Sequence, residues 1–144
     1  MNLVLLMKPE KQTFLLIVIM LAGGSVVSAQ NIQTASIEWT CNSTFDATNG
    51  VATDEVTKVT TSPEHVVWYN KDGEAQKTFS VSGLAGSWTN VSSNGSVVIN
   101  MTYGDNSAIA HFSRSTDAIR IRIHLISEPG SPIYELTVNS LTVN

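Results

Sequence analysis

A single cysteine, Cys41, excludes an internal disulfide, the staple on which many small exported folds rely. It also excludes a lipoprotein anchor, which needs a cysteine directly after the small residues of the export signal; Cys41 lies well beyond them, after Trp39 and Thr40. A lone cysteine among strand-forming residues reads as a small core side chain. Charge is scarce, at 14% of residues, and no block of like charge occurs. Nucleic acid and anionic lipid are held through clustered cations, so neither is expected as a partner. Missing as well are a phosphate-binding loop, a dinucleotide fingerprint, a zinc-protease His-Glu-x-x-His pair and a Gly-x-Ser-x-Gly elbow. Those absences point to a non-catalytic protein without cofactor or metal.

The one long apolar run lies at the N-terminus. Residues 13–22 are almost wholly apolar, follow Lys8 and Lys11, and give way to Gly23, Gly24, Ser25 and then Val27-Ser28-Ala29. Charged, apolar and small residues in that order make a secretory signal peptide over 1–29, with cleavage after Ala29. The run is about half the ~20 residues that cross a bilayer as a helix, which speaks against a retained anchor. Met7 followed by Lys8 would open the same signal equally well. Taking Lys8, Lys11 and Glu10 from eight basic and twelve acidic residues leaves −5 for residues 30–144, against −4 for the whole chain. The expected location is secreted, periplasmic or cell-envelope.

Residues 30–144 suffice for one core and not two. With 42% hydrophobic residues the chain is too apolar for disorder, and its remainder is rich in threonine for strands and asparagine for turns. Ile119, Ile121, Ile123 and Leu125 alternate with Arg120, Arg122 and His124, the period of a strand with one buried face. Val97, Ile99, Met101 and Tyr103 make a second such face. A four-residue turn at 104–107 would set Tyr103 opposite Ala108, Met101 opposite Ala110 and Ile99 opposite Phe112. A turn at Thr116 and Asp117 sets Phe112 opposite Ile121 and Ala110 opposite Ile123. Ile37, Trp39 and Cys41 alternate likewise, residues 54–61 are rich in valine and threonine, and residues 65–69 and 77–81 flank a hairpin turn closed by Gly73. Tyr134, Leu136 and Val138 begin a last strand, and Pro129-Gly130-Ser131-Pro132 is a turn. The reading is a single all-β domain of about eight short antiparallel strands, a β-sandwich or small barrel with a C-terminal meander.

The polar face of that meander gathers His111, Ser113, Arg120, Arg122 and His124. On an acidic protein such a cluster suits a carboxylate, sulfate or phosphate group; it equally suits a solvated sheet face. The two histidines lack a third ligand by spacing. The oxygen-rich stretch 46–55 lacks the ligand spacing of a calcium loop and reads as a turn. Trp68 and Tyr69 are strand neighbours facing opposite ways, so one is expected at the surface, where an aromatic ring can stack on a sugar. Asn42, Asn90, Asn94 and Asn100 stand in glycosylation sequons, which this composition also produces by chance.

Gly86-Ser87-Trp88 resembles the G-x-W signature of the lipocalins. The resemblance implies an eight-stranded barrel holding a small apolar ligand. In that family the motif opens the first strand, whereas here it stands past the middle of the chain; Trp88 reads equally well as packing for a barrel end or sandwich edge.

Together these residues describe an exported, non-catalytic binding or structural domain, with carbohydrate or another protein as its partner. Its candidate binding residues are His111, Arg120, Arg122, His124, Trp68, Tyr69 and Trp88. The rivals are a lipocalin-like carrier and a small hydrolase built on His65, His111 or His124. Expressed in a secreting host, the released protein is expected to begin at Gln30. Mass spectrometry of the intact product checks this, and a mass retaining residues 1–29 would refute the signal reading.

Overall fold

The computed structural model describes residues 31–144, so the signal peptide expected at 1–29 lies outside the described residues. Alternation of apolar and polar side chains drives the described residues into nine strands: β1 (Ile37–Asp46), β2 (Val51–Thr53), β3 (Thr57–Thr61), β4 (His65–Tyr69), β5 (Ala75–Ala85), β6 (Gly95–Tyr103), β7 (Asn106–Arg114), β8 (Ile119–His124) and β9 (Ile133–Val143). Each pairs antiparallel with its neighbours in an up-and-down meander. The last strand returns to the first, Ile37 opposite Val143 and Asp46 opposite Tyr134, and closes the sheet.

β2 and β3 lie end to end along β1, with Asp46 opposite Val51 in one and Cys41 opposite Thr57 in the other. They fill one place between them, so eight strand positions surround the axis. A barrel of eight is just wide enough for side chains to fill or for one small ligand to enter. The architecture is therefore a closed barrel, the second of the two forms the alternation allowed.

Inward positions carry the core. Trp39, Val59, Phe79, Ala110, Phe112, Ile121 and Ile123 are fully buried, and the Trp39 ring packs 5.3 Å from Phe112. The indole nitrogen of Trp39 donates to Thr61 Oγ1 at 3.0 Å, which accounts for the one buried polar residue among these apolar ones. Outward positions on β7 and β8 carry His111, Ser113, Arg120 and Arg122. Apolar inside and polar outside reverses the pattern of a barrel that spans lipid.

The β7–β8 register matches expectation, Phe112 opposite Ile121 and Ala110 opposite Ile123. The β6–β7 register does not. Met101 faces Ala108, Ile99 faces Ala110 and Val97 faces Phe112. The turn is two residues, Gly104 and Asp105, rather than four, and Gly104 takes the positive φ of +57° that such tight turns demand. Shifting by two residues preserves which face each side chain occupies, so the expected core face survives the corrected pairing.

One end of the barrel is plugged. Residues 86–94, between β5 and β6, fold Trp88 and Val91 inward, and Ile32 joins them from the start of the described chain. Trp88 stacks 6.0 Å from Trp39 and donates its indole N–H to the Ser93 carbonyl at 3.0 Å. Its ring lies on Gly95, where an added Cβ would stand 2.4 Å from Cδ1. Gly95→Ala is therefore expected to lower stability by roughly 1–3 kcal/mol, the usual cost of overpacking. Urea unfolding measures it; an unchanged midpoint would mean that Trp88 is not held as described.

Candidate binding site at the mouth of the barrel

The opposite end is open and chemically different. It begins with an irregularity: β1 bulges against β9 on either side of Cys41, where Thr40 pairs with Ser140, Cys41 with Val138 and Ser43 with Thr137. A bulge adds a residue and shifts the alternation that follows. Ile37, Trp39 and Cys41 face inward; beyond the bulge Thr44 does so, opposite the buried Leu136, while Phe45 is turned outward and is 39% exposed.

Thr44 meets Thr57 of β3, Trp68 of β4 and Tyr134 of β9 around a recess of about 320 Å³. Trp68 and Tyr134 pack edge to face at 5.0 Å. Across the rim Lys71 and Glu55 pair at 3.5 Å. Farther round the same end, Lys77 stands opposite Trp68 in register, lies 4.9 Å over the Tyr103 ring and pairs with Glu128. That lysine holds the Glu128 carboxyl below its ordinary range. Burial, then a hydrogen bond to the Glu128 carboxylate and the charge it carries, raise the Tyr103 phenol. Asp46 is engaged by its own turn, accepting hydrogen bonds from Thr48 N at 2.9 Å, Asn49 N at 3.1 Å and Asn49 Nδ2 at 2.7 Å. Those bonds, led by the Asn49 side chain, lower its pKa, and the stretch 46–55 is a turn as expected.

Four buried side-chain polar atoms among the described residues lack a partner of good hydrogen-bond geometry: Thr44 Oγ1, Thr57 Oγ1, Trp68 Nε1 and Tyr103 Oη. Thr57 still has the Cys41 thiol beside it and Tyr103 the Glu128 carboxylate, each as a weak partner, so Thr44 and Trp68 are the two with none. All four lie at this end of the barrel. An unpaired buried polar group costs about 1–3 kcal/mol, so such groups need an explanation. Trp39 and Trp88 both bond their indole N–H within the protein, whereas Trp68, 4% exposed, does not.

Of the residues singled out in the sequence, Trp68 is the inward member of its pair and Tyr69 the outer, with Lys58 4.8 Å over its ring. Trp88 is a core residue at the plugged end. The sheet does bring His111, Arg120, Arg122 and His124 together on the outer wall, His111 opposite Arg122 and Ser113 opposite Arg120. There His111, Arg120 and Arg122 border a depression of about 150 Å³, and His111, Arg122 and His124 a second, mostly apolar one of about 370 Å³ with Val98, Ile109 and Ile133. Arg122 pairs with Glu135 at 3.7 Å, which offsets the charge an anion would need, while Arg120 has no carboxylate within 4.0 Å among the described residues. The His124 ring nitrogen lies 2.7 Å from Ser131 Oγ, which also reaches the Ile126 carbonyl at 3.4 Å and so ties down the β8–β9 loop. Among the described residues no three His, Cys, Asp or Glu side chains converge as metal ligands. Asn42, Asn94 and Asn100 are exposed and Asn90 is half-buried.

Sequence reasoning missed Thr44, Thr57, Lys77 and Glu128. No family model, curated protein or solved structure matches the chain.

Beneath the recess Cys41 is fully buried. Burial pushes its thiol up to about 12, against a smaller lowering effect of the Thr57 hydroxyl. Because the folded pKa is raised, the neutral thiol's contribution is complete below about pH 9 and is lost as pH rises toward 12. At pH 8 a thiol reagent is expected to label Cys41 only as fast as the protein unfolds. Above pH 9 stability should fall by up to about 1.4 kcal/mol per pH unit from this group, a slope that Cys41→Ala reduces. Rapid labelling of the folded protein would contradict the burial.

Proposed function

We propose that this chain is an exported, non-catalytic binding protein that takes a small hydrogen-bonding ligand in the mouth of its barrel. The observation that carries the reading is that, among the described residues, the buried polar atoms without a good partner gather at that one end, with Thr44 Oγ1 and Trp68 Nε1 wholly unpartnered there. Folding alone would favour apolar side chains there, as at the plugged end. Polar groups kept in place at a cost to stability are the mark of a site built for something else. The charged, apolar and small-residue order at the N-terminus supports export.

The rival of a carrier for an apolar ligand is less well supported, because Trp39, Phe79 and Phe112 occupy the barrel interior and the open end is polar. The His124–Ser131 contact is the one observation favouring a hydrolase. It sits on the outer wall, with no carboxylate within 4.0 Å of His124 among the described residues, and its tie to the Ile126 carbonyl supports a loop-holding role.

Thr44→Val and Thr57→Val keep shape while removing a hydroxyl that has no partner, or for Thr57 only the weakly accepting Cys41 sulfur. Each is expected to raise stability by about 1 kcal/mol in urea and to abolish or weaken ligand binding at the mouth. If both variants are instead destabilised by that amount, the hydroxyls are satisfied inside the folded protein and the binding reading loses its basis.

A further inference from the structure

Resting on the mouth as the binding site, we infer that its ligand is a neutral sugar ring, taken end-on as the terminal unit of a glycan. Charge is the first argument. Lys71 is paired with Glu55, Lys77 with Glu128, and Asp46 is consumed by its own turn. Among the described residues at the mouth no unopposed cation remains to hold an anion, and Asp72 on the same wall repels one. A cationic ligand meets the opposite difficulty. The indole N–H of Trp68 is a donor only, so the group that reaches it must be an acceptor and not an ammonium.

Hydrogen-bond type is the second argument. The Thr44 and Thr57 hydroxyls both donate and accept, as does the amide of Gln76 on the rim, whereas that of Asn70 is held by its own turn through Asp72 N and Glu74 N. A ring carrying several hydroxyls offers that same dual character at every position, whereas an ester, ketone or hydrocarbon leaves most of these groups unmatched. The half-buried Tyr134, braced by Trp68, supplies an aromatic wall for the ring's C–H face.

Size and depth are the third. About 320 Å³ is at the lower end of ligand pockets, roughly 300–1,000 Å³, room for one ring. Cys41 and Phe79, both fully buried, fill the barrel interior. A chain cannot thread through, so only its end enters.

The three tryptophans give three indole N–H signals in a ¹H–¹⁵N spectrum of the exported protein, and Trp68→Phe identifies the one that matters. Neutral monosaccharides, their short oligomers, glucuronate, glucosamine and glucose 6-phosphate are titrated in turn. At least one neutral sugar should shift the Trp68 signal saturably at millimolar concentration while Trp39 and Trp88 stay in place. The charged analogues should bind at least tenfold more weakly, and lengthening the glycan should tighten binding by less than tenfold. Equal binding of a charged analogue, or a Trp68 signal unmoved by every neutral sugar, overturns the sugar assignment. A charged analogue that moves Trp68 while no neutral sugar does overturns the sugar assignment and leaves the mouth as the site. A sugar that moves only the resonances of His111, Arg122 and their neighbours overturns the mouth itself.

Discussion

The pairing of β9 with β1 is the constraint on which the rest of the molecule depends. An open meander of this length would leave two edges of unpaired N–H and C=O groups, a template for association with other chains. Closure removes both edges and makes the inward faces of eight strand positions into one continuous core. It also couples the two ends of the chain, since Ile37 sits opposite Val143 at one end of the barrel and Asp46 opposite Tyr134 at the other.

Closure at eight strands leaves little interior volume, and the protein divides it unequally. From the plugged end to the middle, large rings interlock: Trp88 on Trp39, and Trp39 on Phe112. Every indole there has a partner, and Gly95 provides the flat floor that the Trp88 ring requires. Toward the mouth the aromatic side chains become Trp68, Tyr103 and Tyr134, and hydroxyls replace methyl groups. The same strands thus supply a sealed, apolar half that carries stability and a polar half that holds the proposed binding site. The charged groups of the mouth are largely neutralised in place, Lys71 by Glu55 and Lys77 by Glu128.

Much of the fold was legible in the sequence because a barrel wall alternates. Ile119, Ile121 and Ile123 against Arg120 and Arg122 could be placed on faces without knowledge of anything else, and those faces are as expected. The β6–β7 pairing slipped by two residues because residues 104–107 look like turn formers throughout, and only the twist of the flanking strands selects the tighter turn at Gly104 and Asp105. The candidate site was much less legible. The outer cluster of His111, Arg120, Arg122 and His124 stood out because charge is conspicuous in a string of letters. The threonines of the mouth did not, because the chain is rich in threonine and each looks like a solvent-facing strand residue.

By itself the sequence determined the class of the fold, the buried and exposed faces of the C-terminal strands, and the polarity of each position, since these follow from side-chain chemistry at period two. Tertiary structure decided the rest: that the sheet closes rather than splits, that Trp68 faces in and Tyr69 out, and that Thr44 rather than Phe45 enters the barrel. Each of those depends on the partner strand. A bulge in β1 is defined by its register with β9, nearly a hundred residues away in the chain, and no local pattern carries that information.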